Sequence, residues 1–206
     1  MIESVIIRIG PWGFSMRRLG ILVLTFCLLG ATASSANILD PEDKLSGGAP
    51  GGLMRLLGLS GIGRTTVSIQ TNEQPGTIIV NTTERRLYLI TGEGRAIRYG
   101  IGVGRDGFRW TGVHRVTAKK EWPDWTPPAQ MLSRRPDLPR HMKGGEDNPL
   151  GARAMYLGST LYRIHGSNEP ETIGEAVSSG CFRLTNDDVI DLYNRVQVGA
   201  KVIVLR

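Results

Sequence analysis

Ile164-His165-Gly166-Ser167 and Ser178-Ser179-Gly180-Cys181-Phe182-Arg183-Leu184 are the stretches that decide how this chain is read. Cys181 follows His165 by sixteen residues. The other cysteine, Cys27, lies in an apolar N-terminal run, so cleavage of that run as a secretion signal leaves Cys181 as the sole thiol. Exported proteins usually pair their cysteines or do without them, and a leftover thiol points to intermolecular pairing or to a reactive group. The upstream histidine favours chemistry. The thiolate is the attacking species and a free thiol titrates at about 8.5, so a nearby imidazole is a common way to populate it near neutral pH.

The export reading rests on residues 1–36. Arg17 and Arg18 precede the apolar segment Leu19 to Leu29, and the small residues Ala31-Thr32-Ala33 and Ser34-Ser35-Ala36 offer cleavage after Ala33 or Ala36. The apolar run is short for a bilayer span. An uncleaved membrane anchor is the competing reading, and Met16 directly before the two arginines would start a compact signal by itself. Cys27 follows Phe26 rather than a small residue, which argues against lipid attachment there. The expected location is the periplasm or cell envelope.

Cleavage removes Arg8, Arg17, Arg18 and Glu3 from totals of 25 basic and 19 acidic residues, leaving 22 against 18, a charge of about +4. That excess suits a polyanionic envelope but is too small and too evenly spread for nucleic acid. No phosphate loop, CxxC pair or repeat is present, and His114, His141, His165 and Cys181 lack close ligand spacing, so neither metal nor cofactor is expected.

Residues 37–75 are rich in Gly, Ser and small side chains and read as a linker. From residue 76 the texture changes to strands: Thr77 to Asn81, Arg86 to Ile90, a turn at Thr91-Gly92-Glu93-Gly94, Ala96 to Ile101, Gly112 to Lys120, Arg153 to Leu157, and Thr160 to His165. The first three read as an antiparallel meander. Thr185 with Asp188 forms an N-cap, and Val189, Leu192, Tyr193 and Val196 give one apolar helical face before Gly199. Lys201 to Leu205 then closes a sheet. The segment from Trp122 to Gly151 is long for a connection, and its tryptophans and prolines argue for an ordered lid or cleft wall over a solvated insertion, with Trp122 and Trp125 walling the cleft or, the safer expectation, buried under the loop.

The combination of Asn148-Pro149-Leu150-Gly151, Ile164-His165-Gly166-Ser167, Ser179-Gly180-Cys181-Phe182-Arg183-Leu184 and Val198-Gly199-Ala200-Lys201-Val202 resembles the L,D-transpeptidase catalytic domain (YkuD-type) of bacterial cell-wall enzymes, in order over residues 76–206. The resemblance implies a mainly β fold: a sandwich of mixed sheets with a long ordered loop and one short C-terminal helix. It implies peptidoglycan stem peptides as substrate, an envelope lipoprotein as a further acceptor, and acylation by carbapenem-type inhibitors. Two departures stand out. Ser179 occupies a place where many relatives carry His, and Trp110-Thr111-Gly112 replaces a more usual Thr-Pro-x-Gly.

The residues alone assemble a mechanism in which Cys181 is the nucleophile and His165 donates and accepts its proton. Gly180 permits positive φ, so the N–H groups of Gly180 and Cys181 are expected to face the developing oxyanion. Arg183 either holds a substrate carboxylate or braces the loop through main-chain carbonyls. Ser178 and Ser179 are turn residues or contacts for the donor peptide, and Tyr156 and Tyr162 are core or cleft-lining aromatics. In relatives a backbone carbonyl orients the histidine ring, and Gly166 or Ser167 would supply it here. Three functions compete: transfer of the acyl group to an amine, hydrolysis of the same thioester by water, and a wall-binding module in which Cys181 is a relic. A secreted cysteine peptidase of another fold commonly places Cys before His, the reverse of this order.

Overall fold

In the computed structural model, residues 62–206 are described. The expected signal segment and most of the expected linker lie outside them. The strands are β1 (Thr65–Ser68), β2 (Ile78–Asn81), β3 (Arg86–Gly92), β4 (Arg95–Gly100), β5 (Val103–Gly104), β6 (Gly112–Glu121), β7 (Arg153–Leu157), β8 (Arg163–His165), β9 (Ala176–Ser178), β10 (Phe182–Arg183) and β11 (Lys201–Leu205). The helices are α1 (Ala129–Arg134) and α2 (Asn186–Arg195), with one 3₁₀ turn at Pro170–Thr172. The fold is mainly β, as the resemblance implied.

Strands β2, β3 and β4 form the expected meander, tightened by left-handed Gly92, Glu93 and Gly94 at the β3–β4 turn. β1 extends it by pairing with β4, although Thr65–Ser68 falls within the stretch expected to be linker. In sheet order β11 lies between β2 and β6, parallel to the first and antiparallel to the second. Flanked on both sides, Val202, Ile203 and Val204 are all buried, which accounts for their unbroken apolar run.

β6 turns one sheet into two facing layers. Its first residues pair with β11, its later ones with β7, and the register shifts between Val116 and Ala118. A bulge bends a strand and increases its twist, so β7, β8 and β10 swing round to face the meander. The core between them joins Ile78, Leu87, Tyr99 and Val204 to Met155, Leu157, Ile164 and Phe182.

α2 closes one side of this core. Thr185 accepts the Asp188 N–H at 3.2 Å, as its sequence position predicts. Val189, Leu192 and Val196 are fully buried, while Tyr193 is half-buried beneath the Lys119 ammonium at 4.0 Å. The same ammonium donates to the Tyr193 and Val196 carbonyls, each at 2.6 Å, and so satisfies the end of the helix.

The long connection from β6 to β7 is ordered, closed at its base by the Trp122 N–H on the Ala152 carbonyl at 2.8 Å. Trp125 and Met142 bridge across it, and Pro123 and Pro127 are buried. The burial expected for both tryptophans does not hold: Trp122 is 42% exposed and Trp125 half-buried. The prolines take the interior positions instead.

Candidate active site

The two sequence stretches meet on neighbouring strands. β8 and β10 are parallel, with Ile164 opposite Phe182 and His165 opposite Arg183. Ile164 and Phe182 both belong to the core. Strand alternation therefore turns their neighbours, Arg163 and His165 on one side and Cys181 and Arg183 on the other, onto the opposite face together. Continued one residue upstream, the register sets Cys181 beside Arg163. Cys181, immediately before β10, and His165, at the end of β8, are thus brought together by the sheet rather than by the chain.

His165 is 4% exposed. Its Nδ1 lies 2.6 Å from the Gly166 carbonyl, and since a carbonyl only accepts, Nδ1 carries the proton. Nε2 is then the unprotonated, basic nitrogen. Of the two residues expected to orient the ring, Gly166 does so. Burial, followed by the charge of Arg183, pushes the imidazole down to about 3, while hydrogen bonds to the backbone of Gly166 and Leu150 act the other way.

Leu150 reaches the histidine because Asn148 folds the end of the long loop. The buried Asn148 side chain accepts the Leu150 N–H at 2.9 Å and donates to the Lys143 carbonyl at 3.0 Å. Gly151 and Gly166 both press against the Asn186 side-chain oxygen, which also accepts the Ala152 N–H at 2.9 Å. A Cβ on either glycine would collide there. The Asn-Pro-Leu-Gly and His-Gly pairs are therefore two halves of one packing contact at the start of α2.

Cys181 is half-buried, its thiol 3.9 Å from the Leu161 carbonyl. Burial pushes the thiol up, and the positive charges of Arg163 and Arg183 pull against that rise. The preceding Gly180 has φ of +110°, and a Cβ there would stand 2.5 Å from the Tyr162 ring. Ser178, buried, accepts the Gly180 N–H at 3.1 Å and donates to the Cys181 carbonyl at 2.6 Å. This corrects one expectation: the Gly180 N–H does not face an oxyanion, because the serine two residues back closes a side-chain turn on it.

Trp110, flagged in the sequence as a departure, holds the same turn from outside. Its indole N–H donates to the Gly180 carbonyl at 2.8 Å and its ring stacks on Tyr162 at 4.4 Å. Tyr162 thus lines the Cys181 turn while also packing against the core.

The Arg183 side chain does not brace the loop through main-chain carbonyls. Its guanidinium pairs with Glu169 at 3.1 Å, a carboxylate that the sequence did not single out. Its backbone braces Gly102 through bonds of 2.9 and 3.0 Å. Ser167 is buried and accepts the Glu169 N–H at 3.0 Å, making it a turn residue. Ser179 is half-buried. His141 is largely exposed beside Asp124 and Thr126, and His114 packs edge-on to Trp110 at 5.1 Å. Arg163 escaped the sequence reading altogether. The available signal was the shared polar–apolar–polar form of Arg163-Ile164-His165 and Cys181-Phe182-Arg183, two half-buried strand triplets that fit side by side.

A family model, the YkuD L,D-transpeptidase catalytic domain, matches residues 75–204. The "Probable L,D-transpeptidase ErfK/SrfK" of Escherichia coli is 40% identical over 137 residues, covering 62% of this chain and 43% of that protein. The chain therefore spans less than half the length of that relative. Among solved structures, an L,D-transpeptidase from Mycobacterium smegmatis shares the fold with a TM-score of 0.53 at 16% identity, covering 69% of this chain and 67% of its own. The catalytic domain of the Enterococcus faecium L,D-transpeptidase acylated by ertapenem gives 0.50 at 19% identity, covering 66% of this chain and 100% of its own. With the family model spanning the sheets, the histidine strand and the cysteine turn alike, the chain belongs to the L,D-transpeptidase catalytic-domain family of the YkuD type.

Proposed function

We propose that this chain is an exported peptidoglycan L,D-transpeptidase that cleaves the diaminopimelate–D-Ala bond of tetrapeptide stems through a thioester on Cys181. The observation that supports the reading is the placing of Cys181, immediately before β10, beside the parallel strand that ends in His165, whose Nδ1–H on the Gly166 carbonyl leaves Nε2 as the unprotonated nitrogen.

As the sulfur attacks the diaminopimelate carbonyl, its proton passes to His165 Nε2. The oxyanion is met by the Cys181 N–H, since the Gly180 N–H is held by Ser178. Collapse expels D-Ala, whose amine takes the proton from His165, and the acyl group remains on sulfur. An acceptor amine, from a second stem or from a lipoprotein lysine, then attacks the thioester. His165 removes the proton from that amine and returns it to the departing sulfur. A strained β-lactam carbonyl would enter the same donor position, in keeping with the ertapenem-acylated state of the E. faecium neighbour.

The N-terminal basic and apolar pattern, with cleavage after Ala33 or Ala36, supports delivery to the periplasm where such substrates lie. Incubation of the protein with tetrapeptide-rich muropeptides, resolved by mass, tests the reading. Dimers accompanied by released D-Ala establish transfer, and tripeptides alone establish hydrolysis of the thioester. No turnover of either kind by folded protein with a free thiol leaves the wall-binding module as the better account.

A further inference from the structure

We propose that Arg163, set beside the nucleophile by the β8–β10 register, is the positive charge that stabilises Cys181 as its thiolate. The inference rests on the assignment of Cys181 as nucleophile.

Two groups converge on one atom. The Arg163 guanidinium donates to the Leu161 carbonyl at 3.2 Å, and the Cys181 thiol approaches the same oxygen at 3.9 Å. Sharing that acceptor brings guanidinium and sulfur to one carbonyl, and the charge of Arg163 acts against the upward push of burial on the thiol. The guanidinium is held in place by the Tyr156 ring, 5.3 Å from its centre. Among the described residues its Nε is buried and has no hydrogen-bond partner, so the group retains donor capacity beside the sulfur.

The other charged groups around the thiol are weaker candidates. His165, on the same strand as Arg163, is buried and neutral across the physiological range. Arg183, on the cysteine's own strand, is already paired with Glu169. On the loop whose Phe108 carbonyl approaches Gly180, Arg105 lies over the Phe108 ring, as does Arg134 from α1, and Asp106 pairs with Arg109. Arginine stays charged at every relevant pH, so it favours the thiolate without itself taking part in proton transfer. When the thiol ionises, the proton leaves to solvent and the guanidinium keeps its own.

The test is the pH dependence of iodoacetamide alkylation at Cys181, followed by peptide mass so that Cys27 does not interfere, in the full chain and in Arg163→Met, Arg163→Lys and His165→Gln. Methionine keeps an apolar stem against Tyr156. Arg163→Met should move the alkylation midpoint up by about one pH unit, which slows alkylation about tenfold on the rising limb. Arg163→Lys should restore most of the wild-type profile, and His165→Gln should move the midpoint less than Arg163→Met does. Superimposable profiles for wild type and Arg163→Met, or a larger shift in His165→Gln, would overturn the proposal. Should Arg163→Met lose cooperative melting, Arg163→Gln provides the same uncharged comparison. Because alkylation needs no substrate, this result is independent of muropeptide turnover: turnover retained in folded Cys181→Ala would defeat the proposed function, whereas an unmoved midpoint would defeat only the role of Arg163.

Discussion

Trp110 donates its indole N–H to the carbonyl of Gly180 at 2.8 Å, immediately before Cys181 in sequence. Trp110→Phe keeps an aromatic ring on Tyr162 but deletes this bond. Loss of one such bond costs about 1 kcal/mol of stability. The expected outcome is a melting temperature lower by a few degrees and a proportionally greater fall in muropeptide turnover, because the bond fixes the turn that aims the sulfur. Equal turnover in the variant would show that the turn holds its shape without it.

Cys181→Ala should abolish turnover and leave the fold intact, since a small side chain replaces another and the thiol's bond to the Leu161 carbonyl is long, at 3.9 Å. The same variant separates covalent inhibition from adsorption. Intact-mass measurement should show one carbapenem equivalent on the wild-type protein and none on Cys181→Ala. An adduct persisting in the variant would place the nucleophile elsewhere.

Ser178 joins two backbone groups of the cysteine turn, and Ser178→Ala leaves the buried Gly180 N–H without its partner. An unsatisfied buried donor costs about 1–3 kcal/mol. Chemical denaturation should register that loss, and alkylation of Cys181 should change in rate as the turn loosens. A variant as stable as wild type would mean that water replaces the hydroxyl fully.

His165 also governs the dependence of stability on acid. In the folded chain burial pushes it down to about 3, whereas unfolded histidine titrates near 6.5. Between those values the unfolded state binds a proton that the native state refuses. Stability is therefore full above about pH 6.5 and is lost progressively as pH falls towards 3. His165→Gln removes the titration, so its melting temperature should decline less than that of the wild type between pH 7 and pH 4, while its turnover is lost for want of a base. Parallel declines would show that other groups dominate acid sensitivity.

The parts of the fold legible in the sequence are those whose own residues specify them. β2, β3, β4, β7 and β11 are apolar, β-branched or alternating runs bounded by turn residues, and α2 announces itself through Thr185 and the face of Val189, Leu192 and Val196. β1, β5, β9 and β10 are two to four residues long and exist because a neighbour pairs with them, a fact no local pattern records. α1 is likewise a six-residue turn of helix inside the long loop. The site divides along the same line. Cys181 and His165 were found from residue type and spacing, and Gly166 from the resemblance. The companions Arg163 and Glu169 were not, since their positions follow from strand register and from a turn built by Ser167.

The place of β11 sets the order in which this molecule can be made. It comes after every other strand of its sheet in sequence, yet it is the seam joining the meander to the layer that carries the site, parallel to β2 and antiparallel to β6. Until residues 201–205 emerge from the ribosome, the meander and the catalytic layer have no common backbone ladder, and hydrophobic residues such as Val80 and Val116 wait for partners. Contacts so distant along the chain make for slow assembly, late and all at once. A chain that stops short of residue 201 therefore lacks the seam on which the layer carrying the thiol turn is anchored to the meander.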